Sequence, residues 1–158
     1  MSKQDKRSVL FVCLGNICRS PTGEGVLQQL VDERDLTALC LVDSAGTAGY
    51  HVGNLADPRM RAAASRRGIQ LNSRARKLVR EDLGRFDLIL AMDRENYANI
   101  CELEPDPKAT VKLLSDYLDD QWPTDVPDPY YGGDEGFEYV LDMIQEACPR
   151  ILDELFGK

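Results

Sequence analysis

Apolar and polar positions group along this chain into blocks that read as strands and helices in turn. Val9 to Val12 is an unbroken apolar run with β-branched members, the pattern of a central strand covered on both faces. Ser20-Pro21 then predicts a helix start, with the hydroxyl at the N-cap and proline at the first helical position. Leu27, Leu30 and Val31 continue that helix as a stripe ending near Arg34, and Gly23 and Gly25 within it mark close packing or local weakness. Leu39 to Val42 predicts a second strand, ending in a loop at Ser44 to Gly49. Asp57-Pro58 repeats the cap-and-proline signature and opens a helix closed by Gly68. Phe86 to Met92 reads as a third strand, about Arg94 to Glu102 as a helix, and Val111 to Leu114 as a fourth, shorter strand beyond the Pro105 and Pro107 turn. Gln121 to Gly133, rich in Pro, Asp and Gly, predicts a surface loop of the kind that often carries function. The last helix is the clearest. Phe137, Val140, Leu141, Ile144, Ala147, Cys148, Ile151, Leu152 and Leu155 keep one face, with Pro149 expected to interrupt and kink it.

This alternation predicts an α/β fold over residues 1–158 as one domain: three layers, with a small four-stranded parallel sheet flanked by helices. In such sheets ligands bind beyond the carboxyl ends of the strands, where the loop Cys13-Leu14-Gly15-Asn16-Ile17-Cys18-Arg19 falls. A loop that opens a helix turns backbone N–H groups inward and carries the positive end of the helix dipole, so residues 14–19 suit an anion such as phosphate. Gly15 and Asn16 are types that tolerate the left-handed dihedrals of a tight loop. Arg19 adds a planar fork for two phosphate oxygens. Cys13, at the mouth of this positive pocket, is expected as a thiolate. A thiolate nucleophile in a phosphate cradle is a phosphatase arrangement. The bare Cys-x5-Arg spacing is a weak signal, and the strand before it and the helix start after it give it weight.

The loop with Ser20-Pro21 after it, and Asp128-Pro129-Tyr130-Tyr131 far downstream, closely resembles the low-molecular-weight protein tyrosine phosphatases. Asp43 to Thr47, Asp57-Pro58-Arg59, Arg74-Ala75-Arg76 and Phe86 to Asp93 resemble the family too, so the likeness runs from about Ser8 to Phe156. It implies hydrolysis of phosphotyrosine in proteins through a phosphocysteine, with no cofactor and no metal. It further implies Asp128 as general acid and then base, Ser20 as a hydrogen-bond donor to Cys13, and Asn16 and Ser44 as holders of the loop. Tyr50, Tyr130 and Tyr131 would wall the slot for the substrate ring. One departure is plain: where many relatives have a histidine in the loop-supporting network, this chain has Ser73. The sole histidine, His51, reads as a surface-loop residue. Cys18 is either a small buried filler or a resolving partner, able to capture oxidised Cys13 as a disulfide.

Composition narrows the setting. No apolar run reaches the length of a membrane span, and the charged N-terminus lacks a signal-like apolar region, so a cytoplasmic protein is expected. Five cysteines without scaffold spacing predict reduced thiols. Residues 1–79 carry 12 basic and 7 acidic side chains, whereas residues 80–158 carry 7 and 20. That acidic second half argues against nucleic acid as a partner. Arg59 to Arg80 holds eight cations and no acid, which is either a solvated face or a rim that attracts acidic phosphorylated substrates. Three other functions compete. Arsenate reduction lacks its thiol relay after the third strand. Phosphoarginine hydrolysis is disfavoured by Ile17, where such members carry threonine. A catalytically dead binding module is disfavoured by the joint presence of Cys13, Arg19 and Asp128.

Overall fold

The computed structural model describes residues 6–129 and 133–157. Among them, strands β1 (Arg7–Cys13), β2 (Cys40–Gly46), β3 (Leu88–Ala91) and β4 (Thr110–Leu113) form a sheet in the order β2-β1-β3-β4, every pair parallel. Helices α1 (Arg19–Glu33), α2 (Pro58–Ser65), α3 (Asp82–Arg85), α4 (Arg94–Leu103) and α5 (Asp134–Phe156) connect and flank it. Val9 to Val12 have no solvent exposure because both faces of β1 are covered. Val9 and Phe11 point into a core with Leu27 of α1 and Phe137 and Val140 of α5, while Leu10 and Val12 meet Leu83, Ile89 and Ile100 on the other side. This is the expected three-layer α/β arrangement. No helix among the described residues is long and apolar enough to cross a membrane.

Four details differ from the sequence reading. Helix α1 starts at Arg19, its cap is Cys18, and Ser20 is not the N-cap. The Ser20 hydroxyl is engaged by Cys13 and Asn16 instead, and Pro21 still sits in the first turn, where an N–H has no helical partner. Strand β2 runs on through Ser44 to Gly46, level with Phe11 to Cys13. The polar Asp43 and Ser44 masked that extension, since their side chains are engaged by Arg76 and by Glu24 and Asn16. Helix α3 has four residues and no periodicity that a sequence could display. Helix α5 is unbroken from Asp134 to Phe156 with Pro149 inside it. Burial of Cys148, Ile151 and Leu152 around the proline keeps that segment helical despite the lost backbone bond.

Gly23 is a point of close packing. A Cβ there would stand 2.4 Å from Cδ1 of Phe11, so the missing side chain lets α1 lie against β1. That approach sets where the loop between them ends.

Candidate active site

The loop from Cys13 to Arg19 leaves the carboxyl end of β1 and is fastened from outside. The carbonyls of Cys13, Leu14 and Ile17 accept from the N–H groups of Thr47, Ala48 and Asp57 at 2.8–2.9 Å, and that of Cys18 from the Thr22 hydroxyl at 2.7 Å. In a trans peptide the N–H points opposite the carbonyl, so the N–H groups of Leu14, Gly15, Cys18 and Arg19 are turned to the inner side of the loop. Gly46 makes this closeness possible: a Cβ there would lie 2.8 Å from the Leu14 carbonyl oxygen and 3.1 Å from the Asn16 nitrogen. Asn16 takes the left-handed conformation (φ 59°), as its residue type allows. Gly15 is absent from the positive-φ residues, which corrects that part of the sequence reading. Its bare Cα instead admits the His51 ring, whose Cδ2 is 3.0 Å from where a Cβ would be.

Asn16 is the centre of a buried network. Its amide nitrogen donates to Ser20 Oγ at 2.8 Å and Ser44 Oγ at 2.9 Å, and its Oδ1 accepts from the Arg76 N–H at 3.0 Å. That last bond fixes which way the amide faces. Ser44 in turn donates to Glu24 at 2.6 Å. Glu24 also accepts from Ser73, so the serine at the position where the resemblance implies a histidine is part of the network. Burial pushes the Glu24 carboxyl above its ordinary range, against the pull of both hydroxyls. The Ser20 hydroxyl, which accepts from the Asn16 amide, is 3.0 Å from Cys13 Sγ and 3.4 Å from the Ala45 carbonyl; the Asn16 N–H also reaches that sulfur, at 3.3 Å.

Arg19 is buried, with 4% of its side chain exposed. Its Nη1 contacts Asp93 at 2.6 Å and donates to the Val126 carbonyl at 3.1 Å, while Nη2 lies 3.7 Å from Asp128. Burial works against the guanidinium charge, but the neighbouring Cys13, Asp93 and Asp128 raise its pKa overall. Asp93 had no assigned role in the sequence. One of its oxygens holds Arg19 while the other caps α4 through the Asn96 N–H, and the Arg19 contact joins positions too far apart in the chain for a local pattern to show.

Three segments close a cavity of ≈ 100 Å³. The first loop contributes Cys13, Leu14, Gly15, Ile17, Cys18 and Arg19, the loop after β2 contributes Tyr50 and His51, and the long loop before α5 contributes Asp128. His51 therefore lines this cavity and is not merely a surface-loop residue. Lacking any motif of its own, it was invisible until the fold placed it over Gly15. Tyr130 and Tyr131 lie outside the described residues. Burial, with the Asp57 charge beside it, pushes the Cys18 thiol strongly up.

A thiol, a buried guanidinium and inward N–H groups at the end of a parallel strand give this α/β protein a thiol site whose chemistry suits an anion. The family model of the low molecular weight phosphotyrosine protein phosphatases matches residues 8–158. A relative from Synechocystis sp. is 46% identical, with 93% of this chain and 95% of that one covered. The human low molecular weight phosphotyrosine protein phosphatase is 40% identical over 98% of this chain and 99% of its own. The crystal structure of the Entamoeba histolytica protein tyrosine phosphatase superposes with TM-score 0.91 at 42% identity, covering 95% of this chain and 97% of that one. The chain belongs to the low molecular weight phosphotyrosine protein phosphatase family, and its activity is hydrolysis of the phosphoric monoester of tyrosine.

Proposed function

We propose that Cys13 is the nucleophile, Arg19 with the N–H groups of residues 14–19 the phosphate clamp, and Asp128 the general acid and base. The observation that carries this is the meeting of Cys13, Arg19 and Asp128 on one cavity from segments far apart in the chain. In the first step the Cys13 sulfur forms a bond to phosphorus as the phosphorus–oxygen bond to tyrosine breaks, and Asp128 delivers its proton to the departing phenolate. In the second, Asp128 takes a proton from water, which attacks the phosphocysteine and releases phosphate and the thiolate. The equatorial oxygens gain charge-assisted bonds from Arg19 and the inward N–H groups, already in place before substrate arrives. Ser20 and the Asn16 N–H stabilise the sulfur anion as nucleophile and leaving group, and Asn16 and Ser44 keep that arrangement. Tyr50, 76% exposed at the lip, forms one wall of the ring slot.

Cys18 is read as the resolving thiol. A sulfenic acid formed on Cys13 by peroxide would be attacked by Cys18, giving a disulfide and water. All five cysteines are free thiols, which fits a cytoplasmic setting.

The test is turnover of phosphotyrosine, phosphoserine and phosphoarginine peptides with chelator present, for the wild type and for Cys13→Ser. Fast phosphotyrosine hydrolysis, a trapped phosphoenzyme on rapid acid quench, and loss of both in the variant by at least about 10⁴-fold are expected. Residual turnover within tenfold of wild type in Cys13→Ser would refute the nucleophile.

A further inference from the structure

The basic stretch from Arg59 to Arg80 has no part in the chemistry above, and the fold divides its eight cations into two groups. Five are paired: Arg59 with Asp57, Arg66 and Arg67 with Glu138, Arg76 with Asp43 and Asp82, and Arg80 with Glu104. Arg61, Arg74 and Lys77 are exposed and have no carboxylate within 4.0 Å among the described residues. Two of these three lie under the loop that carries Tyr50 and His51. Arg74 donates to the Gly53 carbonyl at 2.9 Å, and Lys77 Cδ is 3.7 Å from where a Cβ on Gly49 would be. The backbones are stitched together as well, with Gly53 N–H to Ala75 at 2.8 Å and Leu78 N–H to Gly46 at 2.7 Å. The lip of the cavity on this side therefore has an unpaired cationic underside beneath the exposed Tyr50 and Val52.

The opposite lip has the other sign. Asp128 is 38% exposed there, and Pro129 beside it packs on Gly136 in the first turn of α5, where Asp134 and Glu135 face solvent. Arg94, the cation next to this wall, is engaged by Asp125. The cavity mouth thus has a cationic lip from the net basic half of the chain and an acidic lip from the net acidic half.

We propose that this polarity reads the residues flanking phosphotyrosine: the protein favours peptides with Asp or Glu on the flank that runs over Arg74 and Lys77, and disfavours acid on the flank that runs past Asp128. The inference rests on the reading that the Cys13 cavity holds the phosphoryl group. With that group fixed, the two flanks leave the cavity over different walls. An extended peptide advances about 3.3 Å per residue, so a side chain two positions away reaches the lip. Cations without a carboxylate partner meet an incoming carboxylate without first breaking an ion pair. Exposed charges of this kind act modestly, and through association rate more than through the chemical step.

The test compares phosphotyrosine peptides carrying two Glu, two Gln or two Lys on the amino or the carboxyl flank. The readout is kcat/KM as a ratio to the Gln peptide within each variant, which cancels any change in the chemistry. Expected for the wild type at low salt is a preference of about three- to tenfold for Glu on one flank only, shrinking as ionic strength rises. The ratio falls to near one in Lys77→Gln and inverts in Arg74→Glu/Lys77→Glu. A wild-type ratio near one, an equal response at both flanks, or a ratio unchanged in the variants would overturn the proposal while the Gln peptide is still hydrolysed. Absence of hydrolysis of the Gln peptide by the wild type would instead overturn the reading of the cavity itself.

Discussion

The wall of the cavity built by residues 13–20 and the wall built by residues 125–129 hold their functional groups in opposite ways. Cys13, Asn16, Arg19 and Ser20 are each at most 3% exposed, and Asn16 alone has three side-chain hydrogen bonds. Asp128 is 38% exposed, and the Arg19 guanidinium is 3.7 Å from it, longer than a direct hydrogen bond. The anchors behind it are Val126, whose N–H donates to Met92 at 2.9 Å, and Asp125, held by Arg94. The contrast follows the chemistry. Stabilising charge on a transferring phosphoryl group needs dipoles fixed in advance. A proton donor must instead reach a leaving group and then a water, so it belongs on a solvated loop. Substitutions on the first wall should change stability and activity together, and those on the second activity alone.

Leaving the nucleophile itself aside, the largest expected effect is on the solvated wall. Asp128→Asn should lower kcat for phosphotyrosine by about 10²–10³-fold, because the proton donor is gone. The unfolding free energy should stay within about 0.5 kcal/mol of wild type, as for most exposed positions. Stopped-flow kinetics and urea denaturation check the two halves, and a kcat within about threefold of wild type would assign the proton to another group.

Next comes the buried wall. Asn16→Gly keeps the left-handed backbone that alanine would strain, yet removes the acceptor for the Arg76 N–H and the donors to Ser20 and Ser44. Loss of about 2 kcal/mol or more in stability is expected from the buried groups left unpaired, with a fall in kcat of roughly 10–100-fold. Slower alkylation of Cys13 by iodoacetate would show that the effect reaches the sulfur. A variant as stable as wild type with normal alkylation would erase the distinction between the two walls.

The same contrast explains what was legible in the sequence. The first wall lies within one short stretch, so strand, loop, Cys13 and Arg19 could be read together from Val9 to Pro21. Apolar periodicity in strands and in α5 conveyed the sheet and layers for the same reason: each is a local pattern with a local cause. Asp128 was one acid among many, and a resemblance singled it out. Asp93, Glu24 and His51 went unread because their roles are set across the fold, by Arg19, by Ser44 and by Gly15. The resemblance paired Ser20 with Cys13, but the local pattern misread it by the opposite error. Its position matched a cap, but its hydroxyl was claimed by a sulfur seven residues back.

The smallest effect tests how the buried wall is propped from behind. Asp57 donates its N–H to the Ile17 carbonyl at 2.8 Å, and its carboxylate caps α2 through the Arg59 N–H at 2.8 Å while contacting the Arg59 guanidinium. Burial works to raise its pKa, but the Arg59 bonds and charge outweigh burial and hold it below the ordinary 3.8. A carboxyl held low in the folded state stabilises that state when ionised. Its contribution is therefore complete above 3.8 and lost as pH falls through the lower folded value. Asp57→Asn retains a capping oxygen and loses only the charge, and Arg59 is 44% exposed, so the loss at pH 7 should be about 0.5–1 kcal/mol. Urea titrations of both proteins at pH 7 and near pH 2 check it, with the gap closing at the acid end. A gap that persists there would mean that cap geometry, not charge, holds α2 against the loop, and the prop behind the phosphate cradle would then be insensitive to pH.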